Sequence, residues 1–147
     1  MKQTLLQEKY PVFVLELDRD ETDYADIDAI CNYFRRRIEA HRCATFIADF
    51  DHYAHTCTLP EGHVDDGIKA ARNIVFCFGI ALPNAQVLAV RPRSIGIAET
   101  DRGFVVTFLE APMPIANAAM EDWAEGLRRY PTGADADAEA PALDTVR

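Results

Sequence analysis

Ser94-Ile95-Gly96-Ile97-Ala98-Glu99-Thr100-Asp101-Arg102-Gly103-Phe104-Val105-Val106-Thr107-Phe108-Leu109 reads as a β-hairpin. Two runs rich in Ile, Val and Phe flank the polar turn Thr100-Asp101-Arg102-Gly103, where glycine is free to take a positive φ. Ser94, Gly96 and Ala98 fall on one face of the first run, and all three are small. Something must cover Val75 and Cys77, on a run apolar on both faces, and a helix, a ligand or a second subunit would serve.

Outward from the hairpin, Asn73-Ile74-Val75-Phe76-Cys77-Phe78 is apolar on both faces, the pattern of a central strand, and Gly79 ends it. Further strands are expected at Val12–Leu17 and at Ala44–Asp51. In the latter, strict alternation puts Ala44, Phe46, Ala48 and Phe50 on one side and Thr45, Ile47, Asp49 and Asp51 on the other. Ile27, Ile30, Cys31, Phe34 and Ile38 recur at helical spacing and predict a helix over 26–41, capped by Asp23 or Asp26. Arg35, Arg36, Arg37, His41 and Arg42 crowd its C-terminal end, where positive charge suits the helix dipole. Short helices are expected over 65–72 and 83–90, and a closing helix over 115–129 with Met120, Trp123 and Leu127 on its buried face. His52 to Gly62 reads as loop. The order β-α-β-β-(short α)-β-β-α implies an α+β two-layer sandwich on a mixed, five-stranded sheet. Residues 1–130 make one domain, and 131–147, alternating alanine with acid, form a disordered acidic tail.

The 147 residues carry a formal net charge of −9. Asp135, Asp137, Glu139 and Asp144 against Arg147 give the tail −3, leaving −6 for the body. A negative body repels phosphate backbones and anionic bilayers, so neither nucleic acid nor membrane is an expected partner. No apolar run approaches the roughly 18 residues of a membrane span. The N-terminal stretch Met1 to Glu8 turns charged too early for a secretory signal, and a cytoplasmic location is expected. Cys31, Cys43, Cys57 and Cys77 form no CxxC pair or zinc-finger spacing. Cys31 and Cys77 read as small buried hydrophobes. For a chain of this size a homodimer is the expected assembly.

Chemistry concentrates in Asp49-Phe50-Asp51-His52-Tyr53-Ala54-His55-Thr56-Cys57, with Glu61, His63, Asp65 and Asp66 behind it. His52, His55, His63 and Asp51 are the residue types that hold a divalent transition metal, which would support metal-assisted hydrolysis. Against this, His52 and His55 align only if the segment is helical, and loop histidines and acids are ordinarily just solvated. Without metal, His52 is a general base or acid, oriented by Asp49 or Asp51, with Cys57 or Cys77 as nucleophile. The catalytic candidates are thus Asp51, His52 and Cys57. A third reading is the binding of a small anionic or polar ligand by Arg91 and Arg93, which flank Pro92, together with His52. The plainer alternative pairs these arginines with Glu99, Glu110 or another surface acid. No GxGxxG or Walker pattern follows Gly79, which excludes a nucleotide loop.

Phe50-Asp51-His52, Phe78-Gly79 with Pro83, and the hairpin 94–109 resemble, over Asp26 to Pro112, the bacterial family called domain of unknown function three-hundred-and-two, or a separate unassigned family of similar architecture. Pro83 follows Gly79 later than that family's Phe-Gly-x-Pro places it. The resemblance implies an α+β fold and dimerisation, and no reaction. Taken together, the leading expectation is a small-ligand-binding or accessory domain with its cleft near Asp51, His52 and His55. Its rivals are a metal-dependent or His-assisted hydrolase on the same residues and a structural dimer without a small-molecule site.

Overall fold

A computed structural model describes residues 1–129. The expected acidic tail lies outside the described residues.

The sheet has six strands, not five, in the order β1-β2-β6-β5-β4-β3: β1 Lys2–Leu6, β2 Tyr10–Asp18, β3 Ala44–Asp51, β4 Ala70–Phe78, β5 Arg93–Glu99 and β6 Gly103–Leu109. Every pairing is antiparallel, so the mixed sheet expected from strand–helix alternation is corrected. The missed strand is β1. Its Lys-Gln-Thr-Leu-Leu carries no alternation, and all five residues are exposed. A tight turn joins it to β2, with Gln7 and Glu8 at φ 53° and 61° in place of the glycine or asparagine that normally signals one. The hairpin β5–β6 forms over the expected residues, Gly96 opposite Thr107 and Glu99 opposite Phe104, although Gly103 does not take a positive φ. Gly103 is required there by close approach, since a Cβ would stand 1.9 Å from the Leu17 carbonyl oxygen.

Two helices cover one face. Helix α1, Ile27–Ala40, is capped by Asp26, whose carboxylate accepts from the Ala29 N–H at 2.8 Å. Asp23 instead pairs with Arg129 at 2.7 Å. The third helix, α3 (Pro114–Glu125), starts with proline at its first turn, where a missing N–H costs nothing. Ile30, Phe34 and Ile38 of α1 and Met120 and Trp123 of α3 meet Leu15, Leu17, Ile74, Phe76, Ile95, Ile97, Phe104 and Val106 of the sheet in one buried core. Trp123 packs its indole on Phe76 (5.7 Å between centroids), while its carbonyl accepts from the Tyr33 hydroxyl at 2.6 Å.

Strand β3 breaks the alternation expected of it. A bulge between Phe46 and Ala48 inserts Ile47 as an extra residue. Ala44 and Phe46 oppose Phe78 and Phe76 on the helix-covered face, but after the bulge Ala48 and Phe50 oppose Val75 and Asn73 on the other. Asp49 is thereby turned to the helix side, where Arg72 grips it with two hydrogen bonds of 2.8 Å and also reaches Asp28 in the first turn of α1. The segment read as loop begins with helix α2, His52–Thr58, which leans on β4. The short helix expected over 65–72 is absent, because Ala70 already belongs to β4. Residues 85–90 form a 3-10 helix rather than an α-helix.

Replacing Gly103 with alanine forces the β5–β6 turn away from β2. The expected loss is about 1–3 kcal/mol, the scale of an overpacked position, measured as a lower urea midpoint at unchanged m-value.

Candidate functional site

Helix α2 brings two of the three clustered histidines together. The Asp51 carboxylate accepts from the Ala54 N–H at 2.9 Å and so acts as N-cap. His52 and His55, three apart on that short helix, then fall on one side. Their ring centroids lie 6.1 Å apart, and each rests on Phe50, at 5.4 and 5.5 Å. Nδ1 of His52 is 2.8 Å from Oδ1 of Asn73, and the Asn73 amide donates to Ser94 Oγ at 2.9 Å. That chain orients the His52 ring and leaves Nε2 turned from the asparagine. The carboxylates proposed to join the histidines are otherwise engaged: Asp51 caps the helix, and Asp49 faces the opposite side of the sheet with Arg72. His63 is exposed in the connection before β4, and Cys57 is an exposed free thiol. Among the described residues, no group of three or more His, Cys, Asp or Glu side chains is arranged to hold a metal ion. Cys77 is half-buried on β4, while burial pushes the thiol of Cys31 up to about 12 and keeps it protonated.

Arg91 and Arg93 lie elsewhere, at the far ends of β4 and β5 beside the start of α3. Both line a cavity of about 300 Å³ whose walls are otherwise apolar, with Phe78, Val87, Val90, Met113 and Ala116 prominent among them. Arg93 opens β5 on the same face as Ile95 and Ile97 and is only 8% exposed. One terminal nitrogen donates to the Leu109 carbonyl, but Nε is buried with no hydrogen-bond partner among the described residues. Desolvation lowers the guanidinium from its ordinary pKa, since burial opposes the charged form. Arg91 donates to the Ala81 carbonyl and lies against Gly79. Gly79 has φ 123°, and a Cβ there would stand 2.9 Å from the Arg91 guanidinium. The acids expected to pair with these arginines are taken: Glu99 bonds Arg19 at 2.8 Å and Glu110 accepts from Gln3 at 2.8 Å.

The opposite wall is held by Asn117 of α3. Its side chain donates to the Ala111 carbonyl at 2.8 Å and accepts from the Ala111 N–H at 2.7 Å, fixing the turn 111–114 over the cavity. Behind Phe78 stands the fourth histidine, His41, buried and tilted against that ring at 4.7 Å between centroids. A second, more polar cleft beside the β5–β6 turn contains Glu16, Asp18, Asp101 and Arg102, and there Arg102 already faces Asp18 at 3.8 Å.

The sequence reading joined His52 to the two arginines, but it did not find Phe78, Met113, Ala116 or Asn117. One signal for Arg93 was present: it is in phase with Ile95 and Ile97, which places it on the buried face of β5.

The described chain is thus an α+β domain, a six-stranded antiparallel sheet with helices, whose end carries a two-arginine apolar cavity. It belongs to a family of unknown function (DUF6858), whose model matches residues 1–129. That family differs from the one suggested by the short motifs, although an unassigned family of α+β architecture was expected. No curated protein and no solved structure matches the chain. No helix among the described residues is long and apolar enough to cross a membrane.

Asn117→Leu strands both the N–H and the C=O of Ala111. The expected cost is about 1–3 kcal/mol for buried polar groups left unpaired, seen in urea unfolding, with amide-exchange protection lost first at residues 111–114.

Proposed function

We propose that this domain binds a small organic anion in the cavity between Arg91, Arg93 and the N-terminal turn of α3. The observation that carries the reading is Arg93. A guanidinium removed from water is costly unless its charge and donors are met. Among the described residues Arg93 has no carboxylate partner and its Nε no acceptor, and it borders an apolar space large enough for a small ligand. An anion entering that space supplies both the charge and the lone pairs. The cleft therefore moves from the Asp51–His52–His55 region, where the sequence put it, to the opposite end of β4.

A second reading keeps His52 and His55 as a site for a transition metal or for acid–base chemistry. Its support is the 6.1 Å approach of the two rings and the hydrogen bond from His52 to Asn73.

Titration of labelled protein with small carboxylates and inorganic phosphate, followed by amide chemical shifts, separates the two. The first reading expects saturable shifts confined to residues 78–93 and 109–117. Arg91→Ala then weakens binding about tenfold or more, the worth of a charge-assisted hydrogen bond, and His52→Ala leaves it unchanged. Saturable shifts around residues 50–56 on adding zinc or nickel, abolished by His52→Ala, favour the second. Anion-induced shifts that vanish with His52→Ala and survive Arg91→Ala overturn the first.

A further inference from the structure

We infer that the ligand of the Arg91–Arg93 cavity is an amphipathic monocarboxylate, a carboxylate head on a small apolar body, inserted head-first toward Arg93. The inference rests on the anion-binding reading and adds to it the chemical class of the anion.

Charge sets the head. Arg93 is nine-tenths buried and has no acidic partner among the described residues, so one negative charge there balances it. Arg91 is only half-buried and keeps contact with water, so it does not demand a second. A dianionic, strongly hydrated phosphate would have to shed its water against Phe78, Met113 and Ala116, which offer it no hydrogen bonds. A carboxylate carries one charge on a planar pair of oxygens, the shape a guanidinium edge accepts. Arg93 already spends one terminal nitrogen on the Leu109 carbonyl, and its Nε has no acceptor among the described residues, so the guanidinium keeps donors unspent.

The walls set the body. Apart from the two guanidinium groups, the lining comes from Phe, Val, Ala, Met and Pro. A volume of about 300 Å³ lies at the small end of ligand cavities. That holds a short chain or one ring but not a nucleotide or a sugar phosphate. The segment that supplies Val87, Val90 and Arg91 continues the apolar character outward. Ile80 is 86% exposed, Leu82 68% and Leu88 59%. Large side chains left that open beside an apolar cavity offer more surface to a chain that outgrows it.

The test is calorimetric, on the full chain, with acetate, butanoate, hexanoate and octanoate, and with 1-octanol and inorganic phosphate as controls. Affinity is expected to rise about fourfold per methylene across the carboxylates, the increment for a buried CH2. Octanoate should bind at least tenfold tighter than 1-octanol, and phosphate should give no saturable heat. Arg93 is buried, so the variant of choice is Val90→Glu, at a position 36% exposed on the cavity wall: it sets a negative charge against the head group and is expected to weaken octanoate at least tenfold. Phosphate binding that Val90→Glu abolishes, with no gain along the carboxylate series, overturns the monocarboxylate and leaves the anion site standing. Octanol binding as tightly as octanoate, indifferent to Val90→Glu, overturns both. So does the absence of binding by every probe.

Discussion

The indole of Trp123 is the joint on which both layers of this domain hang. It is 1% exposed on α3 and packs against Phe76 and Phe78 of β4, with His41, just past the end of α1, at its edge. Its own carbonyl takes the Tyr33 hydroxyl from α1. One residue therefore fixes the spacing between the helices and their height above the sheet. The N-terminal part of the chain is drawn to the end of α3: the Met1 ammonium pairs with Glu125 at 3.1 Å, and Thr22 bonds the Leu127 carbonyl at 2.6 Å. Helix α3 is thus tied at one end by polar contacts to distant segments and at the other by the Asn117 clamp on Ala111.

With α3 fixed at that height, a gap remains where the sheet runs past the helix N-terminus. Large core side chains fill the space around Trp123, but Ala111 and Ala116 leave it open. The cavity is the consequence of small residues at one end of an otherwise close-packed interface. Phe78 belongs to both regions, facing the cavity on one side and the His41–Trp123 pair on the other. The group that lines the gap is continuous with the core, so the cavity walls inherit the rigidity of the sheet.

Much of this architecture is legible in the residues. The 3.6-residue stripe from Ile27 to Ile38, the two-faced apolar run of β4 and the 94–109 hairpin each form where periodicity puts them, because burial alone dictates them. What was not legible depends on partners distant in sequence. The bulge at Ile47 leaves no local mark, yet it reverses the side on which Asp49 and Phe50 emerge. Strand β1 is polar enough to read as a tail until β2 offers it an edge. His52 and His55 were noticed as a pair, and the helix that aligns them is set by one Asp51 cap in a segment full of loop-forming residues. Arg91 and Arg93 were noticed too, but their neighbours come from residues 78–90 and 111–117, which no spacing rule connects.

The same bulge has a bearing on how the protein keeps company with other copies of itself. Strands β3 and β1 form the two rims of the sheet, and a bare rim is a template for further strands. At β3 the extra residue disrupts the ladder and adds local twist, which spoils the flat row of amides an incoming strand would need. At β1 the rim is five residues long and begins with a lysine. Neither border invites open-ended stacking, and geometry at one and brevity at the other give the protection.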